Sequence, residues 1–301
     1  MDERDDALIE AVERVDAESL ERDGSPQTHP EFDRLVRTIW RLRQGDGCPW
    51  DKVQTHESIQ RDLIGEAYEA VDAIAQGDVT HLREELGDVL EQVLLHSQIA
   101  DDEGDFDVDD VCRELNRKLV RRHPHVFGTG GKAADAAAVV DIWDDVKKAE
   151  RQDARDAGRP AGLLDSVPTS LPALMQCQKI SKRAAKAGFE WDSVDDVWDQ
   201  FASERAEFRA EEPGSEARAM EFGDMLFALV NVARHEGIDA EEALAASNAK
   251  FRRRWSAMER MAAADGREIE SYSTEDLNIL WNRAKELESS APASGQGPSV
   301  V

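Results

Sequence analysis

The sequence predicts an all-α protein built from two tandem helical bundles. Strand signals are scarce, since Tyr occurs only twice in 301 residues and Val or Ile seldom alternates with polar residues. Apolar residues instead recur with the 3.6-residue period of an amphipathic helix along almost the whole chain. A series of polar landmarks also appears twice in the same order, which indicates a duplicated helical domain rather than a short-period solenoid.

Each half of the chain carries five landmarks. They are a Trp-Asp pair, a Glu-x-x-Glu pair, a Glu-x-Gly-Asp motif, an Asn-x-Lys-x-x-Arg-Arg segment and a Trp followed four residues later by Lys. In the first half they are Trp50-Asp51, Glu66/Glu69, Glu85/Asp88, Asn116–Arg122 and Trp143/Lys147. In the second half they are Trp191-Asp192, Glu204/Glu207, Glu221/Asp224, Asn248–Arg254 and Trp281/Lys285.

Breaks in the helical periodicity predict the domain boundaries. The predicted segments are an acidic leader at 1–30 with one helix over 5–20, an N-terminal domain at 31–150, a Pro- and Gly-containing linker at 151–170, a C-terminal domain at 171–287 and a Ser/Ala/Pro/Gly-rich, disordered tail at 288–301. A short glycine-rich loop is predicted at 128–131.

Composition excludes several classes of protein. The net charge of −27 repels phosphate backbones and anionic lipids, so we expect neither a nucleic-acid partner nor a membrane partner. No apolar run is long enough for a transmembrane helix, and the acidic N-terminus does not resemble a signal peptide. The three cysteines are too widely spaced for a disulfide framework. A cytoplasmic protein is therefore expected, whether its acidity reflects a high-salt environment or only an ordinary acidic surface.

The paired acids are the candidate site. A single acid-x-x-acid pair is expected by chance in so acidic a chain, and its ordinary interpretation is a solvated helix face. Residues three apart project to the same side of a helix, however, and here the acids flank an apolar stripe in each half. In the second half we expect that stripe, which includes Phe222, Leu226 and Leu229, to be core. Carboxylates beside a core are partly desolvated and need a compensating partner.

A glycine lies between the acids of the third landmark in both halves, at Gly87 and Gly223. Glycine within a helix costs about 1 kcal/mol relative to alanine. Its recurrence indicates that another backbone or a ligand comes close at this point.

Four carboxylates from two facing helices would attract cations. Ligation by oxygen alone favours Mg²⁺, with Mn²⁺ possible, over zinc. The Glu-x-x-His motif of di-iron bundles is absent from the sequence. Simple metal storage remains an alternative, although a less favoured one.

A basic cluster follows each acidic set. Lys118 and Arg122 lie four residues apart, as do Lys250 and Arg254, so each pair shares a helix face that could clamp a polyphosphate. The alternative is a set of salt bridges or cations at a helix terminus. Two tryptophans, Trp143 and Trp281, could stack on a base, although a lone tryptophan is more often part of a core.

At these residues the chain resembles MazG, a nucleoside triphosphate pyrophosphohydrolase family of the all-α NTP pyrophosphatase superfamily. The resemblance covers 31 to about 287. It depends on segments including Cys48-Pro49-Trp50-Asp51, Glu84-Glu85-Leu86-Gly87-Asp88, Arg121-Arg122-His123-Pro124-His125-Val126-Phe127 and Gly188-Phe189-x-Trp191. It implies two tandem MazG-like domains and a homodimer, in which the duplicated halves could pair within one chain, between chains or both.

The resemblance also implies an activity, the hydrolysis of NTPs to NMP and pyrophosphate with Mg²⁺, mainly in the C-terminal domain. The implied metal ligands of that domain are Glu204, Glu207, Glu221 and Asp224, with Glu204 or Glu207 as the catalytic carboxylate. Glu66, Glu69, Glu85 and Asp88 would be the matching ligands of the first half. The implied nucleotide contacts are Lys250, Arg253, Arg254 and Trp281, with Lys118, Arg122 and Trp143 in the first half.

Two other functions fit the same residues. One is a related helical pyrophosphohydrolase of narrower specificity, for dUTP/dCTP or phosphoribosyl-ATP. The other is a non-catalytic helical binding module that keeps its metal for stability.

Overall fold

In a computed structural model of the chain, all regular structure in the described residues is helical, which confirms the predicted fold class. The structure describes residues 3–128, 133–156, 158 and 162–290. The helices are α1 Glu3–Leu20, α2 Pro30–Arg43, α3 His56–Gln76, α4 Val79–Glu103, α5 Val108–Arg122, α6 Pro124–Phe127, α7 Ala136–Asp156, α8 Ala173–Lys186, α9 Val194–Ala210, α10 Glu216–His235, α11 Ala240–Ala264 and α12 Thr274–Ser290. Two short 3₁₀ turns lie at Asp51–Val53 and Ile269–Ser271.

The chain forms two compact units, Met1–Asp153 and Ala154–Val301. Helices α1, α7 and α12 lie wholly or partly in the segments that the sequence predicts to be the leader, the linker and the tail. α1 lies inside the predicted leader and packs on α5. α7 continues to Asp156 in the predicted linker, and α12 continues to Ser290 in the predicted tail. The domain boundaries remain a prediction, and most of the predicted 128–131 loop and the tail from 291 onward lie outside the described residues.

A helical hairpin is the centre of each unit. α3 packs along α4 in the first unit, and α9 packs along α10 in the second. In each unit the helix that precedes the hairpin packs on the second helix of the hairpin, α2 on α4 and α8 on α10. The repeated landmarks therefore correspond to a repeated arrangement of helices.

Local sequence signals explain where the first hairpin turns. Gly77 ends α3 with a φ of 69°, a left-handed conformation that glycine adopts without steric cost. Asp78 then caps α4, and its side chain accepts hydrogen bonds from the backbone N–H groups of Thr80 and His81. The two-residue connection fixes the start of α4, which carries the second acidic motif.

The core of the first unit lies away from this turn. It consists of Ile39 from α2, Ile59 from α3, and Leu94, Leu95 and Ile99 from α4. In the second unit a separate cluster joins α11, the second 3₁₀ turn and α12 through Met258, Ala262, Ile269, Leu280 and Ala284. The acidic motif of the first unit lies between its core and the hairpin turn.

The predicted core stripe on α10 is wrong in part. Phe222 is 50% exposed, Leu226 41% and Leu229 37%. The buried residues of α10 are instead Ala228, Val230, Asn231 and Val232. The periodicity identifies an apolar face correctly, but in this unit no described residue covers much of it.

Within the described residues, no helix combines the length and the apolar character needed to cross a bilayer.

Candidate metal centres

The first hairpin gathers three carboxylates. Glu66 projects from α3, and Glu85 and Asp88 project from α4 one turn apart. Each offers an oxygen that lies within 4.8 Å of the corresponding oxygens of the other two. Three carboxylates that converge in this way could hold a divalent cation.

Glu85 gives this cluster its clearest sign of a ligand. The residue is only 5% exposed. Its Oε1 lies 2.6 Å from His81 Nε2, whereas its Oε2 is buried and has no hydrogen-bond partner among the described residues. A buried carboxylate oxygen without a partner is costly, and a bound cation would remove that cost. The residues therefore fit the metal that the family implies.

The second hairpin repeats the arrangement with Glu204 from α9 and Glu221 and Asp224 from α10, again within 4.8 Å of one another. This cluster is less buried than the first. Gln200 Nε2 donates a hydrogen bond of 2.5 Å to Glu204 Oε1. The two hairpins thus offer equivalent sets of three oxygen ligands.

Desolvation and mutual repulsion both raise the pKa values of two clustered acids. Desolvation and then the charges of Glu207 and Asp224 raise the pKa of Glu221. Desolvation and then the charges of Glu69 and Asp88 raise the pKa of Glu66. Such shifts are expected where carboxylates converge without a cation between them.

Two predicted ligands, Glu69 and Glu207, are not members of the gathered sets. Both are exposed, and both contribute negative charge to the neighbouring cluster. Ser203 Oγ donates a hydrogen bond of 3.1 Å to Glu207 Oε1. The structure thus brings together three of the four predicted acids in each half and leaves the second Glu of the Glu-x-x-Glu pair at the margin.

The two repeated glycines have no close neighbour in the described structure. A Cβ added at Gly87 or at Gly223 would meet nothing within 4 Å. Of the two explanations expected from the sequence, an approaching backbone of this chain is therefore wrong for the described residues. The approach of a ligand remains.

The arginines of the basic clusters are paired with carboxylates. Arg122 donates from Nε and Nη2 to the two oxygens of Glu150, and Arg121 shares one of these oxygens. In the second half, Arg254 Nε donates to Glu288 Oε2 at 2.7 Å and Arg253 Nη2 to Oε1 at 3.2 Å. These hydrogen bonds, led by that of Arg254, hold the pKa of Glu288 below its ordinary value.

Glu150 and Glu288 are not among the five sequence landmarks, although the sequence carries a signal for both. Each follows the last landmark by the same spacing, as Trp-x-x-x-Lys-x-x-Glu, so it is a sixth repeated position. The salt bridges that were the alternative for the arginines are therefore observed. Lys118 and Lys250, by contrast, are exposed and form no ion pair with the described residues. These two lysines are therefore the predicted phosphate contacts that are not paired with an acid of the described residues.

Both predicted tryptophans are half-buried and contact other rings. Trp281 lies 5.0 Å from the Phe251 ring, and the Arg254 guanidinium carbon lies 5.4 Å from the Trp281 ring centre. Trp143 meets His123 edge-on at 5.3 Å, and its buried Nε1 has no partner among the described residues. Trp281 therefore lies against the basic cluster of its half, and Trp143 lies against His123, the residue that follows Arg122.

Comparison with known proteins places these residues in a family. The model of the MazG nucleotide pyrophosphohydrolase domain matches residues 54–127, which include the first acidic cluster. The nucleoside triphosphate pyrophosphohydrolase of Escherichia coli K12 is 43% identical over 263 residues, which cover 86% of this chain and 98% of that protein. The nucleoside triphosphate pyrophosphohydrolase/pyrophosphatase MazG of Thermotoga maritima is 37% identical over 254 residues, or 84% of this chain and 95% of that protein.

The Bacillus subtilis protein YabN is 49% identical over 261 residues, but the match spans only 52% of its length. The E. coli and T. maritima proteins match almost from end to end, at an identity that reflects common descent. The resemblance inferred from the motifs is confirmed, and the chain belongs to the MazG family of nucleotide pyrophosphohydrolases.

Proposed function

We propose that this chain hydrolyses nucleoside triphosphates, ribo- and deoxyribo-, to the monophosphate and pyrophosphate with Mg²⁺, mainly in its C-terminal half. One observation carries the proposal: three carboxylates converge within 4.8 Å at the same position of both hairpins. The names of the E. coli and T. maritima relatives supply the reaction class. The preference for the C-terminal half comes from the family resemblance.

Glu204, Glu221 and Asp224 would hold the metal, which when bound supplies positive charge for the phosphate oxygens and acidifies a water molecule. Glu207 is the member of its Glu pair that stays outside the gathered set, and Ser203 restrains its carboxylate. We assign to Glu207 the acceptance of a proton from the attacking water.

The basic side of the site would bind the triphosphate. Lys250 has its ammonium group available, and Arg254 keeps both Nη groups for a phosphate because Glu288 engages only its Nε. Both cations would stabilise the charge that develops on the leaving pyrophosphate when water attacks the α-phosphorus. Trp281, beside Arg254, is the proposed base-stacking side chain.

The test is release of pyrophosphate from the eight common NTPs and dNTPs. Three proteins are compared: the parent chain, Glu221→Gln/Asp224→Asn, and the matched Glu85→Gln/Asp88→Asn. We expect the C-terminal double variant to lose at least about 100-fold in turnover and the N-terminal one to keep most of it. The reverse result would place catalysis in the first half, and no Mg²⁺-dependent turnover by the parent would refute the proposal.

Thermal unfolding in EDTA separates a catalytic metal site from a structural one. Because desolvation and then the charges of neighbouring acids raise the pKa of Glu221, its neutralisation is expected to leave metal-free stability unchanged or higher. A variant that instead fails to fold would favour a metal held for stability.

A further inference from the structure

One clustered acid in each half has an oxygen in close contact with a side-chain nitrogen one turn earlier on its own helix. In the first half that side chain is His81, whose Nε2 lies 2.6 Å from Glu85 Oε1 as an ion-pair contact. In the second half it is Gln200, whose Nε2 lies 2.5 Å from Glu204 Oε1. We propose that His81 and Gln200 are positioning residues that orient these carboxylates toward a divalent cation. The inference rests on the proposed function only in that it requires a metal.

The geometry at Glu85 defines what His81 does. The imidazole Nε2 lies against Oε1 at ion-pair distance and so occupies that oxygen. The second oxygen, Oε2, is buried without a partner in the described structure. Because His81 occupies Oε1, Oε2 is the Glu85 oxygen left for an ion held with Glu66 and Asp88. His81 thus fixes the carboxylate in the orientation that presents its unpartnered oxygen.

The other clustered acids have no such restraint. Within the described part of the chain, Glu66, Asp88, Glu221 and Asp224 accept no hydrogen bond from a side chain. Each site therefore has one oriented carboxylate. The other two ligands would adjust their positions to the ion that this carboxylate binds.

The donors are placed differently in the two halves. His81 lies four residues before the first acid of the Glu-x-Gly-Asp motif, and the equivalent position of the second half is Ala217. Gln200 lies four residues before the first acid of the Glu-x-x-Glu pair, and the equivalent position of the first half is Asp62. Neither alanine nor an ionised aspartate can donate. Each half therefore orients one carboxylate through a residue at a different position of the repeat. The two orienting residues are not themselves part of the repeated acidic motifs.

A purely structural role fits His81 poorly. Its side chain is 41% exposed, so truncation would leave little cavity. Partners that hydrogen-bond to metal ligands commonly change metal affinity by about 10- to 100-fold when removed. The inference therefore predicts a change in metal affinity.

The experiment measures Mn²⁺ affinity by electron paramagnetic resonance on the full chain with one site disabled. His81→Ala, His81→Gln and Thr80→Ala are each made in the Glu221→Gln/Asp224→Asn background. We expect His81→Ala to raise the Mn²⁺ dissociation constant about tenfold or more. His81→Gln, which supplies an amide donor like that of Gln200, should restore most of the affinity. Thr80→Ala, on the neighbouring exposed residue, should match the background.

The reciprocal arm tests Gln200→Ala in the Glu85→Gln/Asp88→Asn background, with the same expected loss. An unchanged dissociation constant for His81→Ala, with only a lower unfolding temperature in EDTA, would overturn the proposal in favour of a structural role. If neither background binds Mn²⁺, both this inference and the proposed function fail. If Mn²⁺ binds but no nucleotide is hydrolysed, the proposed function alone fails.

Discussion

At the scale of single residues, the carboxylates fall into two groups with opposite effects on stability. Glu190 and Glu288 face arginines, and their pKa values lie below the ordinary range because the charged form is hydrogen-bonded. Glu66 and Glu221 are partly desolvated and face other acids, and both effects raise their pKa values. The first group stabilises the fold at neutral pH, and the second costs stability until a cation is bound.

Glu190 provides a prediction about pH. It accepts hydrogen bonds from Arg234 Nη1 at 2.5 Å and Nη2 at 2.6 Å, and these bonds are the leading reason that its pKa falls from 4.5 to about 2. Because the pKa is depressed on folding, the stabilisation is complete above the unfolded value near 4.5 and is lost as the pH falls through about 2. We expect Glu190→Gln to lower the free energy of unfolding by about 1 kcal/mol at pH 7, after allowance for solvent screening.

Denaturant unfolding from pH 7 down to pH 3 checks this expectation. Less than about half of the difference between Glu190→Gln and the parent should remain at pH 3. Glu212→Gln, at an exposed turn residue of the same unit, serves as the control and should show no such trend. A difference that stays constant with pH would mean that Glu190 contributes through packing rather than charge.

At the scale of helices, local spacing made much of the site predictable. Acids three residues apart must share a helix face, so the pairing of Glu221 with Asp224 follows from the chain itself. Contacts between helices depend on how the helices are set against each other, which local spacing does not encode. The repeated position of Glu288 identifies this residue, but spacing does not give its pairing with Arg254, which joins α11 to α12. The marginal position of Glu207 likewise depends on the register of α9 against α10.

The repeated glycines give a prediction at this scale. Alanine at Gly223 or Gly87 meets no atom within 4 Å, so it should stabilise the helix by about 0.5–1 kcal/mol. If these glycines leave room for the nucleotide, Gly223→Ala should also raise the KM for NTP by about tenfold, which corresponds to about 1.4 kcal/mol of lost binding. Unfolding in EDTA and steady-state kinetics measure the two effects separately.

Gly65 is the matched control for this prediction. It lies within α3, its added Cβ would also meet nothing within 4 Å, and the second half has Ser203 at the equivalent position. Gly65→Ala should therefore stabilise the protein without a change in KM. If Gly223→Ala behaves in the same way, ligand approach does not explain the glycine in the acidic motif.

At the scale of the whole molecule, the sequence predicted an apolar face on α10 but could not show what covers it. Periodicity reports that a helix has an apolar side, whereas burial depends on the partner that packs there. Phe222, Leu226 and Leu229 remain 37–50% exposed in the described structure of a single chain. A contiguous apolar face of this kind is typical of a surface that another subunit covers. The expected homodimer would supply that cover.

We therefore propose that a second copy of this chain packs on the exposed face of α10. Light scattering coupled to gel filtration should give about twice the chain mass of 33.5 kDa for the parent. Leu229→Gln, which introduces an amide that the interface could not satisfy, should shift the protein toward the monomer with its helical content intact. Leu20→Gln, at the similarly exposed end of α1, is the control and should leave the mass unchanged. A parent that elutes as a monomer would rule out the dimer, and the apolar face of α10 would then require a different partner.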